Sequence, residues 1–438
     1  MHLEKKSSIA IIGTGISGLA CAHFLHRHFD LTLFEKDPRI GGHSNTVTVS
    51  EDGNELPLDT GFMVYNEVTY PHLTRLFKEL DVLTKPTAMS FSIQHIPDDV
   101  EFNGGSLNLL FAQRKNLLRA RFWKMLLQIN RFNRETIEEL TNPKSGDVSL
   151  AEYVKARAYG ADFLDWYLVP MAAAVWSSPP ERIHDFPART LMRFWYNHGF
   201  LGLDTQHPWR TVVDGSRQYV EKITVPFKNR IITGNPVHSV SAENKITLAD
   251  GSSRHFDQII FASHGDQSLG LLESPTALES EVLGHFNYQP NRAVVHTDAR
   301  FMPRTQRAWA SWNYRIEPSG KHSTHYWMNS LQGVSEKENY FVSINPPGEI
   351  APENIRHELE YEHPVFNSAA INAQDRIPDL NFAGNHTKRF YCGAWQRYGF
   401  HEDGIWSAHR LCEQILKQDP WLQTDVARPL ALNSEIQT

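Results

Sequence analysis

The sequence predicts an α/β fold with a parallel sheet, a small antiparallel meander and a largely helical middle region. Three observations predict it. A short apolar strand, a glycine turn, a helix and a second strand follow one another within residues 7–35. Strand signals around an Asp-Gly turn return in residues 230–251, and a largely helical block occupies residues 107–176. With 438 residues, the chain is long enough for roughly two to three domains.

The composition is that of a globular protein without a strongly basic surface. Hydrophobic residues make up 41% and charged residues 21% of the chain, which argues against extensive disorder. The formal net charge is -7, so strong electrostatic attraction to a phosphate backbone is not expected. We therefore expect no nucleic-acid partner, and the composition leaves the oligomeric state open.

The cysteines and the apolar runs indicate the compartment. Cys21, Cys392 and Cys412 are widely separated and show no CxxC or Cys/His metal spacing, which predicts neither a disulfide framework nor a structural zinc site. No window reaches the roughly eighteen uninterrupted apolar residues that a transmembrane helix needs. The apolar run 9–12 stops at Gly13, which favours a buried strand over a signal peptide. A soluble, cytoplasmic protein is expected.

The first strand and the glycine turn after it carry the strongest functional signal. The run Ser7–Ile12 is followed at once by GTGISG (residues 13–18) and then by a helical apolar pattern. Gly13 permits the sharp turn, Gly15 lets the main chain approach a pyrophosphate closely, and Gly18 allows tight packing of helix on strand. The free N–H groups at the helix start suit a phosphate.

Two later features indicate which dinucleotide binds here. Residues 30–35 form a second strand that ends in Glu35, where a carboxylate can accept hydrogen bonds from a ribose diol. A lone glycine turn can be purely structural, but the complete strand–turn–helix–strand–acid order favours dinucleotide binding. Gly41 and Gly42 follow shortly after, in the place of the second glycine motif of FAD-binding oxidoreductases, with an ordinary loop as the alternative. FAD is therefore favoured over NAD.

The middle of the chain is predicted to be mainly helical, with two distinctive stretches. Residues 107–134 contain seven basic residues and no acidic ones, interleaved with large apolar residues. Such a stretch is either a solvated helix face or a monotopic membrane-contacting face that admits a lipid. Residues 163–176 are apolar and rich in aromatic residues, which suits an apolar pocket or a core.

The second half is predicted to be rich in strands. Residues 230–233, 236–240 and 245–251 are expected to form the meander, and residues 257–263 another buried strand. A further strand-rich block covers residues 290–345.

A second cofactor element is expected near residue 400. Residues 389–395 are a strand running into a turn at Gly393, and the acidic, glycine-flanked residues 399–404 begin a helix. Such a cluster can simply cap the helix, or the helix N-terminus can point at a flavin, which is the interpretation we favour. Residues 380–385 are a rival for the strand-and-glycine element, farther from the acidic cluster.

These elements resemble the FAD-dependent amine oxidoreductase superfamily, which includes monoamine oxidases, protoporphyrinogen oxidases and phytoene desaturases. The resemblance spans nearly the whole chain and rests on the GxGxxG…Glu…Gly-Gly element, strand 257–263 and residues 393–404. More narrowly, the chain resembles a bacterial subgroup of predicted NAD/FAD-binding proteins often associated with cyclopropane-type fatty-acid modification. The motifs shared with this subgroup lie at residues 41–46, 59–62, 391–394 and 399–404.

The resemblance implies a Rossmann-like FAD-binding domain of the GR2 type, assembled from three separated stretches around an inserted α+β substrate domain. The FAD-binding domain is expected to comprise residues 1–95, 205–265 and 360–420, and the substrate domain residues 96–204 and 266–359. Residues 425–438 lack clear periodicity and are expected to form a flexible tail.

Motifs and resemblance together predict the cofactor site. The residues expected to contact FAD are Gly13, Gly15, Ser17, Gly18, Glu35, Lys36, Gly41, Gly42, His43, Val237, Gly393, Ala394, Glu402, Asp403 and Gly404. Val237 is expected on the strand that contacts the adenine. The FAD is expected to be non-covalent, although Cys392 lies close enough to the cofactor turn to be considered as an attachment point. No metal site is expected.

Two departures from the superfamily bear on the chemistry. His43 stands where an arginine often follows the Gly-Gly pair. Residues 292–296 offer arginine and histidine but no lysine, where many amine oxidases have a lysine that holds a water near flavin N5. The second departure argues against oxidation of a free amine.

The implied function is oxidation of an apolar small molecule, such as a lipid or fatty acyl compound, by hydride transfer to flavin N5. Two alternatives stay open: an amine oxidase, and a flavin-dependent isomerase without net redox change. His43 and His296 are the candidate catalytic groups, with His401 a further proton-transfer candidate, because histidine titrates near neutral pH. Each of them can also be a structural histidine or, for His43 and His401, a neighbour of the flavin site. If residues 107–134 contact lipid, the protein is peripheral at the inner membrane.

Overall fold

The computed structural model describes residues 6–142, 148–202 and 205–423, so the tail expected at residues 425–438 lies outside the described residues. The strands are β1 (Ser8–Ile12), β2 (Asp30–Glu35), β3 (Thr46–Glu51), β4 (Asn54–Asp59), β5 (Tyr65–Asn66), β6 (Thr84–Thr87), β7 (Phe91–His95), β8 (Val100–Asn103), β9 (Trp209–Val212), β10 (Ile231–Thr233), β11 (Val237–Val240), β12 (Lys245–Leu248), β13 (Ser253–His255), β14 (Gln258–Phe261), β15 (Asn287–His296), β16 (Trp312–Ile316), β17 (His322–Trp327), β18 (Phe341–Ile344), β19 (Ile355–Val365) and β20 (Arg389–Tyr391).

The helices connect these strands and cover their faces. The α-helices are α1 (Ile16–Leu25), α2 (Pro71–Glu79), α3 (Leu107–Leu110), α4 (Ala120–Thr141), α5 (Leu150–Ala156), α6 (Ala161–Phe163), α7 (Val169–Trp176), α8 (Pro180–His184), α9 (Ala188–Asn197), α10 (Arg217–Thr224), α11 (Gly265–Gly270), α12 (Ala277–Leu283), α13 (Met328–Leu331), α14 (Ser368–Gln374), α15 (Ile377–Thr387) and α16 (His401–Leu416).

A five-stranded parallel sheet has the order β10-β2-β1-β14-β20. Its central strand β1 is buried on both faces, which explains the continuous apolar run in the sequence. Ile9 and Ile11 belong to the core that contains α1 and α16, whereas Ala10 and Ile12 belong to the core beneath the meander and α12. The alternation follows from the two-residue period of a strand. The predicted α/β architecture with a parallel sheet is confirmed.

The antiparallel meander consists of β11, β12 and β13. The predicted Asp-Gly turn joins β12 to β13, and Gly251 has φ +83° there. One predicted meander segment differs, because residues 231–233 form β10, which pairs in parallel with β2 at the edge of the main sheet. Ile231 lies beside Leu33 in that register, and this apolar pairing moves the segment to the parallel sheet.

A seven-stranded mixed sheet, in the order β19-β15-β18-β17-β16-β7-β8, forms the second half of the structure. Helices α4 to α9 share a core with β7, β8 and β16, around the fully buried Trp166 and Trp195. The apolar stretch predicted as one helix at residues 163–176 is interrupted by a π-helical turn, Leu164–Leu168, before α7. Residues 107–134 likewise divide into α3, a 3₁₀ turn at 114–118 and α4.

Strand pairing and helix packing differ from the expected domain boundaries at three points. β7 pairs with β16 and so belongs to the seven-stranded sheet, although the FAD-binding stretch was expected to reach residue 95. The boundary at residue 360 falls inside β19. α12, expected in the substrate domain, packs through Val282 and Leu283 into the core of the parallel sheet.

The rival segment 380–385 lies within α15, whereas residues 389–391 form strand β20.

Within the described ranges, none of the helices has both the length and the apolar character that crossing a bilayer requires.

Candidate active site

A cavity of about 970 Å³ opens at the carboxyl ends of the parallel strands, facing the seven-stranded sheet. Gly13, Glu35, Ala262 and Gly393, which stand at or just after the ends of β1, β2, β14 and β20, all line it. This edge is where ligands bind in open α/β sheets. The topology therefore brings residues from four separate strands to one site.

The turn after β1 exposes bare main chain to the cavity. Gly13 has φ +106°, and a Cβ on it would lie 2.7 Å from the carbonyl oxygen of Ala262, so a side chain does not fit. Gly15 precedes α1 as its N-cap without a side-chain cap, and a Cβ on it would meet no atom of the described residues within 4 Å apart from Gly15 itself and its chain neighbours. Since Ile16 and Ser17 also line the cavity, the first N–H groups of α1 are available to an anion there.

Two of the predicted glycines serve packing and do not line the cavity. A Cβ on Gly18 would lie 2.0 Å from the carbonyl oxygen of Gly13, so the glycine lets α1 approach the turn closely. A Cβ on Gly404 would lie 2.6 Å from Cγ2 of Ile16, so this glycine lets α16 pack tightly against α1. The lack of a side chain at both positions therefore lets α1 and α16 pack closely beside the glycine turn at residues 13–15.

Glu35 is fixed at the end of β2. Its Oε2 accepts hydrogen bonds from the backbone N–H of Thr14 (3.1 Å) and from Thr14 Oγ1 (2.5 Å). Its Oε1 accepts one from the backbone N–H of Asp37 at 3.1 Å. Lys36 and Val237 line the cavity too, so the structure brings Glu35, predicted for the ribose, and Val237, predicted for the adenine, to the same cavity as Lys36.

The loop that contains the Gly-Gly pair returns beside the glycine turn. The backbone N–H of Gly41 donates to the Thr14 carbonyl at 3.0 Å, and a Cβ on Gly42 would lie 3.0 Å from Gly15 Cα. Gly42 lines the cavity and Gly41 does not. Gly41 therefore anchors the loop, while Gly42 presents main chain next to Gly15.

His43 also lines the cavity. Its ring stacks on Tyr361 with 4.9 Å between the ring centroids, and its Nε2 is buried without a hydrogen-bond partner among the residues that the structure describes. Burial lowers the pKa of His43 to about 4, and the Arg39 guanidinium adds to the effect, so the ring is neutral near pH 7. The unpartnered nitrogen is available to a bound molecule.

The C-terminal element reaches the cavity only in part. Gly393, Ala394 and residues 398–401 line it, whereas Glu402 and Asp403 do not. The two Glu402 carboxylate oxygens each accept a backbone N–H from the start of α2, from His72 and Leu73, at 3.0 Å. His401, the first residue of α16, therefore lines the cavity, whereas the next two residues, Glu402 and Asp403, do not.

Both acidic side chains cap helices. Asp403 accepts the backbone N–H of Phe400 at 2.9 Å, which closes the start of its own helix α16. Burial raises the pKa of Glu402 to about 8 and that of Asp403 to about 6. For these two side chains the contacts agree with the capping interpretation of the acidic cluster.

His296 and Cys392 lie away from the cavity. His296 is buried within the seven-stranded sheet, where its Nε2 is 2.6 Å from Ser343 Oγ and its Nδ1 accepts the Asp298 N–H at 3.1 Å. Burial lowers the pKa of His296 to about 4. Cys392 Sγ is 3.6 Å from Cys21 Sγ beneath the cofactor turn, and none of the three cysteines lines the cavity. The structure thus brings neither residue to the site.

The helical domain supplies an apolar half of the cavity, of which the sequence indicated only the stretch 163–176, through Val175 and Trp176. Its lining side chains come mainly from α7, α9 and the strands opposite. They are Met89, Val175, Trp176, Phe194, Phe200, Trp209, Trp312 and Tyr326. Their spacing in the sequence is that of ordinary core residues, so no local signal distinguishes them.

The cavity fits an FAD molecule by three observations. The open space at Gly15 lies where a pyrophosphate must touch main chain, and the fixed Glu35 carboxylate lies at the end of the neighbouring strand. His43 Nε2 and Arg39 Nη1 are buried beside the glycine turn with no hydrogen-bond partner in residues 6–142, 148–202 and 205–423. In the described part of the chain, no cluster of three or more candidate ligands could hold a metal ion.

Sequence comparison relates the chain to a family over most of its length. The family described as flavin containing amine oxidoreductase matches residues 16–336. Coproporphyrinogen III oxidase from Staphylococcus aureus is 24% identical over 185 residues, which are 40% of this chain and 38% of that protein. The chain thus matches well under half the length of this relative.

Two solved structures share the fold over nearly the whole chain. Putrescine oxidase bound to putrescine has a TM-score of 0.66 at 12% identity, covering 94% of this chain and 99% of that one. The CLA-producing fatty acid isomerase from P. acnes has a TM-score of 0.64 at 13% identity, covering 95% and 99%. Identities this low show a common fold and leave the substrate open.

Proposed function

Because the chain belongs to the flavin-containing amine oxidoreductase family and is an enzyme with non-covalently held FAD as its cofactor, we propose that it dehydrogenates an apolar small molecule of the fatty acyl type. The proposal concerns the substrate, which family membership leaves open. It is supported by the division of the cavity lining into a charged part and an apolar part.

The charged lining side chains belong to two segments. Glu35 ends β2 and Lys36, Asp37 and Arg39 follow it, whereas Glu360 and Glu362 lie on β19. The lining from α7 and α9 is apolar or aromatic. An acyl chain gains roughly 0.8 kcal/mol for each CH₂ group that it buries against such a surface. An ammonium group placed there would lose its hydration without gaining a carboxylate.

The lysine content of the lining argues in the same direction. Lys36, beside Glu35, is the one lysine among the described lining residues. Residues 292–296, where many amine oxidases have a lysine, contain none. The alternative of amine oxidation by way of a lysine-held water therefore has no residue to support it.

When bound, FAD supplies an acceptor for a hydride at N5. The chain's own residues bind and orient the substrate. Aromatic side chains such as Trp176 and Phe400 exclude water and hold an extended apolar chain in one direction. The backbone N–H groups of α1 and the Glu35 carboxylate hold the dinucleotide so that the reacting carbon and the cofactor keep a fixed geometry.

Isomerisation is the second candidate function. The buried His43 Nε2 has no protein partner, and burial lowers the pKa of the neighbouring His363 to about 3, so both imidazoles are neutral near pH 7. A neutral imidazole can accept and return a proton, which a double-bond shift requires. This observation keeps isomerisation open beside dehydrogenation.

Anaerobic mixing of the holoenzyme with fatty acyl, amine and isoprenoid compounds separates the candidates. We expect a fatty acyl compound to bleach the visible flavin absorbance, because dehydrogenation transfers two electrons to the cofactor. Bleaching by amines alone would contradict the proposed substrate class. Conversion of a fatty acid without bleaching would show that the enzyme isomerises its substrate and does not dehydrogenate it.

Val175→Asp tests the apolar half of the cavity. A carboxylate beside the acyl chain is expected to weaken substrate binding by about 2 kcal/mol, roughly thirtyfold in KM. The matched control is Val225→Asp, because Val225 is exposed and does not line the cavity. Both variants should retain the flavin content of the wild type. An unchanged KM in Val175→Asp would place the substrate elsewhere.

An exposed surface on the helical domain suits a lipid bilayer. We call it the basic apolar patch; it is formed by the exposed side chains Leu107, Leu117, Leu118, Trp123 and Leu127 together with the cations Arg114, Lys115, Arg119 and Lys124. Trp123 and Leu127 are four residues apart on α4, and Trp123 Nε1 donates to the Leu117 carbonyl at 2.9 Å, so these side chains adjoin one another.

Apolar side chains surrounded by cations are the pattern of proteins that lie on an anionic membrane surface. Leu118 is 93% exposed, which is costly for a surface that contacts water alone. Part of the positive charge is offset, since Lys115 pairs with Asp99. We therefore include peripheral contact with anionic lipid in the proposed function, as a route for an apolar substrate.

Sedimentation with phosphatidylglycerol vesicles tests the patch. The double variant Leu118→Glu/Leu127→Glu is expected to lose roughly 3 kcal/mol of membrane binding, about a hundredfold in affinity, because two apolar side chains no longer enter the interface. The control is Leu83→Glu, since Leu83 is also highly exposed, at 73%, but lies outside the patch. Failure of the wild type to bind at low salt would contradict membrane contact.

A further inference from the structure

Ser44, Tyr219 and His401 meet at the edge of the cavity from three distant parts of the chain. Ser44 Oγ is 2.8 Å from His401 Nε2, and the Tyr219 hydroxyl is 3.2 Å from the same nitrogen. The Ser44 and Tyr219 hydroxyl groups also share a hydrogen bond. His401 lines the cavity, whereas Ser44 and Tyr219 are buried behind it.

The hydrogen-bond count in this cluster selects one histidine tautomer. Within the described residues, the Ser44 and Tyr219 hydroxyl groups have no hydrogen-bond partners besides each other and His401 Nε2. If Nε2 is unprotonated, one hydroxyl donates to the other and the second donates to Nε2, so both hydroxyl protons are bonded. If Nε2 carries the proton, one buried hydroxyl proton has no acceptor, which is unfavourable.

The ring is also neutral and fixed in orientation. Burial lowers the pKa of His401 to about 3, with His43 as a second, electrostatic cause, so the imidazolium form is not populated near pH 7. The ring stacks on Phe62 with 3.8 Å between centroids and 18° between planes. With Nε2 an acceptor, the single proton of the neutral ring is on Nδ1, and this nitrogen has no hydrogen-bond partner in the described protein.

We propose that His401 donates a hydrogen bond from Nδ1–H to a carbonyl oxygen or ring nitrogen of the bound flavin, and that Ser44 and Tyr219 act as positioning residues that hold this tautomer. The position favours the cofactor over the substrate. His401 is the first residue of α16, whose Gly404 packs on α1, and Ser44 follows the loop that places Gly42 against Gly15. The inference goes beyond the proposed function because it holds for any substrate.

Such a donor favours the reduced cofactor. Two-electron reduction increases the electron density on the carbonyl and nitrogen atoms of the flavin ring system, and a fixed N–H donor stabilises this density without reorganising. An uncharged donor does so without the desolvation that a buried cation requires. His401 therefore tunes the readiness of the flavin to accept electrons.

The test is the flavin midpoint potential of the purified holoenzyme, measured by anaerobic dye equilibration. His401→Leu removes the donor, and we expect the reduced form to lose about tenfold in relative stability, which is about 30 mV for a two-electron couple. His401→Asn is the matched variant, because its amide N–H can take the place of Nδ1–H; we expect a shift below about twofold. Flavin content reports whether each variant folds.

An unchanged potential and visible spectrum in His401→Leu would overturn the proposal. If His401→Leu instead weakens only the binding of a substrate analogue and leaves the potential unchanged, the donor bonds the substrate and the assignment to the flavin is wrong. The wild-type holoenzyme provides an independent readout, since ¹⁵N shifts of labelled histidine show which ring nitrogen is protonated. A protonated Nε2, assigned by comparison with His401→Asn, would also overturn the proposal.

Ser44→Ala and Tyr219→Phe test the positioning role. Each single variant leaves one hydroxyl group that still donates to Nε2. We therefore expect the equilibrium constant between reduced and oxidised flavin to change by less than about twofold. The double variant leaves no hydroxyl group to donate to Nε2, and its flavin midpoint potential should fall by about as much as in His401→Leu. Additive shifts from the two single variants would show that the hydroxyl groups do not select the tautomer together.

Discussion

Gly15→Val is expected to abolish FAD binding while leaving the fold of the protein intact. The backbone of Gly15 has φ −66°, which valine adopts without strain, and among the described residues a Cβ there meets no atom within 4 Å beyond Gly15 and its chain neighbours. The added side chain would occupy the space next to the first N–H groups of α1. Losing two charge-assisted hydrogen bonds to a pyrophosphate costs roughly 3 kcal/mol or more, over a hundredfold in Kd.

The measurement is the ratio of flavin to protein after gel filtration, combined with thermal unfolding of the apo-protein. The free energy of unfolding of Gly15→Val should lie within roughly 0.5 kcal/mol of the wild-type value. Gly18→Ala provides the contrast, because its Cβ would lie 2.0 Å from a backbone oxygen and is expected to destabilise the apo-protein by roughly 1–3 kcal/mol. Gly270→Ala, with open space around it, is the neutral control. Full flavin content in Gly15→Val would disprove the placement of the cofactor.

Glu402→Ala is expected to destabilise the protein without removing the cofactor. Glu402 is only 6% exposed, and its carboxylate bonds the backbone N–H groups of His72 and Leu73, 330 and 329 residues away in the chain. Pro71 begins α2 and Tyr70 offers no side-chain cap, so these amides depend on Glu402. Leaving two buried N–H groups unbonded costs about 3 kcal/mol in free energy of unfolding.

Glu402→Gln tests the protonation of the same side chain. Its carboxyl titrates near 4.5 when unfolded and, because of burial, its pKa is raised to about 8 in the folded protein. Between these values the folded state binds more protons, so the contribution of Glu402 to stability falls as pH rises from 4.5 to 8. Glutamine does not titrate, and the Tm difference between Glu402→Gln and wild type should therefore grow in favour of glutamine over this range.

Thermal denaturation at several pH values gives the Tm differences, chemical denaturation gives the free energy of unfolding of Glu402→Ala, and the flavin content is measured alongside. Glu413→Gln is the matched control, since Glu413 lies on the same helix but is exposed. A Tm difference that is independent of pH would show that the buried carboxyl is ionised throughout. Loss of flavin in Glu402→Ala with unchanged stability would restore the sequence-based interpretation of Glu402 as a cofactor contact.

The elements predicted well are those whose signal is local. The strand β1, the turn at Gly13 and Gly15, the helix α1 and the acid Glu35 lie within about thirty residues, and each is specified by neighbours a few positions away. The Asp-Gly turn of the meander is equally local. For the same reason the preferred strand at residues 389–391 could be recognised from its pattern, although segment 380–385 had a similar composition and forms a helix instead.

The predictions that the contacts do not support depend on distant partners. His296 was singled out for its chemistry, yet its strand β15 pairs with β18 and β19 and buries the ring against Ser343, away from the cavity. Ser44 lies within the shared motif at residues 41–46 and Tyr219 in no motif, and nothing in the sequence relates either of them to His401. Their hydrogen bonds to His401 form only when the loop before β3, α10 and α16 are assembled around one cavity.

The sequence by itself determined the parallel sheet and its glycine turn and predicted the flavin cofactor, since the backbone conformations of this unit are dictated by residues close together in the chain. Only the tertiary structure decided that Glu402 caps α2, that aromatic residues of the helical domain form the apolar half of the cavity, and that Ser44 and Tyr219 hold His401. The physical reason is that burial and hydrogen-bond partners depend on which surfaces pack together, and residues hundreds of positions apart share no local pattern that records it.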